Sequence, residues 1–428
     1  MAEPQLLAYL ALSSRPTEAP QWVDESERVR LAKGVHLTRG RQRDLDRFEV
    51  GTATLALDNR DRRFDPSHAT GPYYGDLKPM RRLRLSAVYE GVDYPLFSGY
   101  VDGFAAEWPG SGADAVTPIR AADGLRVLGL ADILAGTAFA EQLSSARIDA
   151  VLDLTGWTTG GTWLLDSATN SQLDSTTILS PITGDRVILA GNTTVQAETF
   201  ADKANALEYC QQVERAEGGR LFVNAEGTIC FYNRHYLLGP DQQTSRYTFA
   251  DASDPAALPY YDLVTSYDDG DLYNVVSCER RGGTARTAED ATSKLEYFRR
   301  ATAETDLLAT TDAEMADRAA WLLSRRKDPG YRVKALVIRP QRDDRLWVPC
   351  LSLEIGDRIT VQRLPQGLGD AWAEDYRIER IEWTIQGGLW QVVWQLSPAD
   401  STLYWHISDG ADEFAPFAVL GVSTVLAY

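Results

Sequence analysis

The chain has 428 residues, of which 44% are hydrophobic and 10% aromatic, and a formal net charge of −18 at pH 7. That length exceeds a single core and predicts two to four domains, while the composition excludes wholesale disorder. No run approaches the ~18 uninterrupted apolar residues of a membrane-spanning helix, and the acidic balance disfavours a protein that grips nucleic-acid phosphates.

The first residues, MAEPQLLAYLALSSRP, carry an acidic side chain where a secretory leader carries basic ones, and they read as a strand of the mature protein. From 1 to 120 the pattern is of strands and turns. VGTATLALDN alternates with period two and places Ala53, Leu55 and Leu57 on one face. RRLRLSAVYE and YPLFSGYVDGFAAEWPG follow across the turn Gly91-Val92-Asp93, as hairpins of a small barrel or sandwich.

Within this region LALDNRDRRFDP brings Asp58, Asp61 and Asp65 together with Arg60, Arg62 and Arg63. A calcium loop needs oxygen ligands at alternate positions, a glycine at the sharp turn and a closing glutamate; here arginines stand between the acids. An acid/base pair needs two carboxylates in unlike environments, and 61 acidic residues supply many accidental pairs. The turn reading accounts for more. Asp58 and Asn59 can bond their own backbone, Arg–Asp pairs can brace the loop, and Pro66 forbids continued pairing.

Residues 121–198 change to helix in ADGLRVLGLADIL (122–134) and SSARIDAVLDLTGW (144–157), with Ile148, Val151, Leu152 and Leu154 at helical spacing. The Thr-, Ser- and Gly-rich segment 156–196 reads as a small β-insertion or a long exposed loop, with sugar binding as an alternative. Residues 199–330 form an α+β middle. An amphipathic helix is predicted over 199–219, with Thr199 as its cap, Phe200, Ala204, Leu207, Cys210 and Val213 as its stripe, and Gly218-Gly219 as its end. A hairpin turning at 224–227 follows, then a helix over 311–327 opened by a Thr311/Glu314 capping box.

Residues 331–400 return to strands and carry Trp372, Trp383, Trp390 and Trp394, with Trp405 just beyond; they are expected to pack a second barrel or to close the first. The apolar tail 401–428 is expected to dock on the body or on a neighbouring subunit.

Nothing in these segments demands an enzyme. His36, His68, His235 and His406 stand alone, no Gly-x-Ser-x-Gly elbow occurs, and GTARTAED lacks the Gly-Lys-Ser/Thr of a phosphate loop. Cys210, Cys230, Cys278 and Cys350 lie at least 20 residues apart, which is neither a disulfide framework nor a zinc pattern. Cys210 falls on a helical apolar stripe, as a core thiol does. No cofactor or metal is predicted.

GVHLTRGRQRDLDRFEVGTATLALDNRDRRFDPSHATGPYYGDLKPMRRLRL resembles the opening of the minor tail proteins of long-tailed bacteriophages, in the tail-hub or tail-tip group similar to baseplate hubs. The elements in order are Arg39-Gly40-Arg41, Gly51 to Pro66, Pro72 to Gly75, and Pro79 to Arg84. YPLFSGYVDGFAAEWP, ARIDAVLDLTGW, AEGGRLFVNAEGTICFYNR, LEIGDRITV and IERIEWTIQGGLWQVVWQLSP continue the likeness to about residue 400.

The resemblance implies a mainly β chain with an α+β middle: two small β-barrel or sandwich ring-forming domains and an inserted α/β region. It implies a homotrimer, with a hexameric distal tail ring as the alternative. Partners would be the distal tail or tail tube protein, other tail-tip or fibre proteins, the tape measure protein, and DNA passing through an acidic lumen. The place would be the virion tail tip, assembled in the host cytoplasm, with no cell-wall hydrolase domain. A carbohydrate-binding host-recognition tip protein is the remaining alternative. The residues expected to brace the ring or its interfaces are Arg39, Arg41, Asp58, Asn59, Arg60, Asp61, Asp65, Tyr73, Tyr74, Trp383, Trp390 and Trp394.

Overall fold

The structure, a computed structural model, describes residues 3–157, 186–251, 256–363, 372–399, 403–405 and 424–426. Most of the 156–196 segment and most of the 401–428 tail lie outside the described residues, so the expectations for them stand as made.

The chain opens with β1 (Gln5–Ala11), β2 (Val35–Gly40), β3 (Glu49–Asp58), β4 (Arg82–Tyr89), β5 (Val92–Val101) and β6 (Val116–Ala122). Their ladders are antiparallel and run β2–β3–β6–β5–β4–β1. The period-two alternation of β3 sends Ala53, Leu55 and Leu57 into the core.

Three helices follow. α1 (Gly124–Leu130) is capped by the Asp123 carboxylate, which accepts from the Leu125 amide, and α2 (Ser144–Leu154) contributes Ile148, Val151 and Leu152 to the same apolar cluster as Leu125 and Leu128. β7 (Arg186–Ile188) precedes α3 (Ala206–Glu217), which is shorter than the helix predicted over 199–219. Residues 198–199 and 204–205 are extended and pair with 138–139 and 132–133, and Asn205, not Thr199, caps the helix. Cys210 and Val213 keep their places on the buried stripe, whereas Phe200 lies ahead of the helix and meets Tyr209 edge-on at 4.9 Å. Gly218 ends α3 in the left-handed conformation, as its sequence position implies.

β8 (Arg220–Val223) and β9 (Ile229–Tyr232) form the predicted hairpin about Asn224–Gly227, and β7 adds in parallel to β9. Both faces of this small sheet are covered. Phe222 and Cys230 enter the main core; Leu221, Val223, Ile229 and Phe231 pack against the three helices.

Next come β10 (Thr248–Ala250), β11 (Asp262–Ser266), β12 (Val275–Arg280), β13 (Arg286–Glu289), the short helix α4 (Ala291–Tyr297) and β14 (Ala301–Leu307). The sheet β13–β12–β14 is backed by α5 (Asp312–Arg326), through Val276, Cys278, Met315, Ala319 and Leu322. Thr311 caps α5 by accepting from the Glu314 amide at 3.3 Å. The Glu314 carboxylate does not return the bond of a capping box; it turns to Arg234 at 3.0 Å.

The last strands are β15 (Arg332–Ile338), β16 (Arg358–Arg363), β17 (Trp372–Gln386) and β18 (Leu389–Pro398). β17 is the hinge of the architecture. Along one edge it pairs with β18 from Tyr376 to Gln386. On the other edge it pairs first with β16 and then, from Arg380 onward, with β2 of the N-terminal sheet. The two β-regions therefore share one continuous sheet and one core, and no ladder among the described residues closes it into a barrel. The fold is mainly β with an α+β middle, the class implied by the sequence.

Candidate functional site

Two charged constellations stand out, and in both the carboxylates are paired with arginines. The first is the loop after β3. Its first turn is set by Asn59, whose side-chain oxygen accepts from the Phe64 amide at 2.9 Å and whose own amide donates to the Ala115 carbonyl at 3.0 Å. Asp58, Asn59, Phe64 and Asp65 turn inward, while Arg60, Asp61 and Arg62 stay exposed. Asp58 accepts from Arg60, with Arg30 at 3.7 Å; Arg62 reaches Asp65 at 2.7 Å; Asp61 faces Arg28 at 3.2 Å. The Arg60 hydrogen bonds hold the Asp58 carboxyl below its usual range. Burial would raise that of Asp65, but bonds from Ser67 and Arg62 outweigh it and hold it low.

A general acid requires the opposite shift. With their carboxyls held low, Asp58 and Asp65 act as charged braces of the loop, as the turn reading expects. Tyr73 closes the loop: its ring stacks on Phe64 at 5.8 Å and its hydroxyl donates to Glu25. Tyr74, beside it, is exposed.

The second constellation lies where β17 changes partners. Its pairing with β18 slips by one residue between Ile378 and Arg380, so Glu379 occupies a bulge and points into the interior. Glu379 is fully buried. Its carboxylate accepts from Arg41 at 2.8 Å, from Arg220 at 3.0 and 2.7 Å, and from Ser397 at 2.6 Å. Burial alone would raise this carboxyl, yet Arg220 and Arg41 prevail and hold it at about 2.

Arg41 comes from the end of β2, Arg220 from the middle region, and Glu379 and Ser397 from the C-terminal strands. Gly40 permits the approach. Its φ is +108°, and a Cβ there would sit 2.2 Å from the Glu379 carbonyl oxygen. Arg39, one residue earlier, makes a parallel tie: it donates to the Leu96 carbonyl at 3.2 Å and to Glu354 at 2.7 Å. Glu354 in turn accepts from the Ala225 amide at 3.0 Å.

Two more buried carboxylates flank this junction. Asp123 accepts from the amides of Gly51 and Leu125, and Glu214 from that of Leu221 at 3.0 Å. Burial pushes both up to about 7. They are 2% and 5% exposed, so solvent and substrate do not reach them. The four cysteines are buried free thiols, and burial raises the Cys210 thiol to about 12. Among the described residues no group of three or more His, Cys, Asp or Glu side chains is placed to hold a metal ion.

The structure thus joins Asp58, Asn59, Arg60, Asp61, Asp65 and Tyr73 in one loop, and places Arg39 and Arg41 at the strand junction. Trp383, Trp390 and Trp394 are buried inside the chain. Trp383 and Trp390 meet edge-on at 5.8 Å, Trp390 meets Trp347 at the same distance, and Trp394 packs on Phe249 at 5.3 Å. Sequence reasoning overlooked Glu379, Arg220, Asp123 and Glu214. A signal for Glu379 was present: core positions run Tyr376, Ile378, then Ile381, Trp383, Ile385, a one-residue slip in parity that marks a bulge.

No family model matches the chain, and no curated protein matches it in sequence. Solved structures do match in fold. The 43 kDa tail protein of prophage MuSo2 from Shewanella oneidensis superposes over 92% of this chain and 99% of its own, with a TM-score of 0.52 at 12% identity. The tail protein from Neisseria meningitidis MC58 covers 92% of this chain and 96% of its own, with a TM-score of 0.56 at 8% identity. At such identities the likeness is one of fold, and it spans nearly the whole length of all three chains.

Proposed function

We propose that this chain is a structural protein of a phage tail, the hub at the distal end of the tube, which joins the tube or distal tail ring to the tip and lines part of the DNA channel. One observation carries the reading: the likeness in fold to two phage tail proteins covers nine-tenths of the chain. The charged motif that the sequence raises as a possible site supports it, because its carboxylates are paired with arginines: Asp58 and Asp65 with Arg60 and Arg62 of the loop, and Asp61 with Arg28 ahead of β2. On this reading the protein performs no reaction. It forms a closed ring of three copies, and its net charge of −18 suits a lumen that DNA traverses without adhering.

Cryo-electron microscopy of tail ends tests the proposal. Three copies around the tail axis at the distal end are expected. Six copies would move the chain to the distal tail ring, and density on a side fibre away from the axis would overturn the assignment.

A further inference from the structure

The sheet β13–β12–β14 has unlike ends. At the end where β12 begins, α4 and the residue after it present Leu295 and Phe298, which are 89% and 85% exposed. Phe298 also has φ +59° with an extended ψ of 175°, a backbone conformation that residues other than glycine rarely adopt. The surroundings hold it there. Asn274, wholly buried, donates to the Phe298 carbonyl at 2.7 Å and accepts from the Arg300 amide at 2.8 Å. Folding gains nothing from a phenyl ring held in water on a strained backbone. Arg299, adjacent and exposed, makes no ion pair among the described residues.

At the other end, just past β12, Arg281 lines a groove of about 330 Å³ together with Phe200, Ala204, Glu208, Tyr209 and Gln212. Phe200 and Tyr209, in edge-on contact, line it with only a small part of each ring, at 9% and 3% exposure. Its charges are matched with one exception. Arg281 is paired with Glu198 and Asp306, and Lys203 with Asp132. The Glu208 carboxylate has no ionic partner among the described residues. Leu134, 69% exposed, follows the short strand that pairs beside the groove.

We infer that these two ends are the halves of one contact: the Leu295/Phe298 knob of one copy enters the Phe200/Tyr209 groove of a second copy, with Arg299 facing Glu208. The six residues of β12 hold knob and groove roughly 20 Å apart, so a chain cannot fill its own groove. The patches differ, which makes the contact heterologous, the kind that closes into a ring. An aromatic and an arginine at the centre are what such contacts favour. The inference rests on the ring reading above and names the surface that builds the ring.

Light scattering on the full-length protein at micromolar concentration tests it, using Leu295→Ser/Phe298→Ser, Arg299→Glu, Glu208→Arg and the combined charge swap. Both apolar side chains are exposed, so the double variant should keep the wild-type melting temperature and near-ultraviolet spectrum. The wild type should be oligomeric, the double variant at least ten-fold weaker in self-association, each charge reversal weaker, and the swap restored. A wild type that is oligomeric, with variants that associate equally well, overturns the knob and groove alone. A monomeric wild type overturns the ring reading and the contact with it.

Discussion

At the scale of single residues, the decisive feature is that charge has been taken out of water and balanced. Glu379 sits among Arg41, Arg220 and Ser397 with no exposure. Removing one partner of such a group strands the others, so Glu379→Gln should lower stability by about 3–5 kcal/mol in urea unfolding. A loss below about 1 kcal/mol would show that the cluster is dispensable. The sign of its pH dependence follows from the depressed pKa. Its stabilisation is present above the ordinary glutamate range near 4.5 and is lost as pH falls toward 2. Glu214 behaves oppositely. Its folded pKa of about 7 exceeds the ordinary 4.5, so its neutral form favours folding at low pH and stability falls as pH rises between those values. Glu214→Gln retains an oxygen for the Leu221 amide and removes the charge. The drop in melting temperature from pH 5 to pH 8 should therefore be smaller in the variant than in the wild type, and equal drops would refute the assignment.

At the scale of elements, β17 matters most because it changes partner half-way along. The change requires a bulge at Glu379 and a residue without a Cβ at Gly40. Gly40→Ala places a methyl group on the Glu379 carbonyl, and should cost more than about 2 kcal/mol while speeding amide exchange across Val35–Gly40 and 380–385. Unchanged exchange there would mean that the ladder does not depend on the close approach. The loop after β3 is a second, independent test. Asn59→Ala leaves the Phe64 amide unpaired in a buried site and should cost about 1–3 kcal/mol, read from the shift in the urea midpoint. Much of this scale was legible beforehand. The alternation of β3, the Asn224 turn and the Thr311 cap all depend on residues within a few positions of one another. The start of α3 was misplaced because the tertiary pairing of 204–205 with 132–133 overrides a helical periodicity that continues through them.

At the scale of the whole molecule, the N- and C-terminal β-regions share a core. Leu37, Leu55 and Leu85 belong to the same cluster as Leu336, Ile359 and Trp394. A fragment of residues 1–120 lacks the strand that pairs with β2 and leaves one side of that core open. It should express as an aggregating or molten species, whereas the full chain should melt the two β-regions together. Sharp, dispersed amide resonances from the fragment alone would show that the shared sheet is a contact between two self-sufficient units.

What the sequence determined by itself is whatever rests on short-range spacing: strand faces, the Thr311 cap and the turn at Asp58 and Asn59; the fold class came with the family resemblance, and the comparison of structures reproduces it. What only the tertiary structure decided is where charge is buried and what balances it. Arg41 and Arg220 stand 338 and 159 residues from the Glu379 they neutralise. Burial belongs to the assembled volume and not to any stretch of chain. Local periodicity can reveal the bulge that turns Glu379 inward, but only three regions brought together can supply the arginines that keep it there.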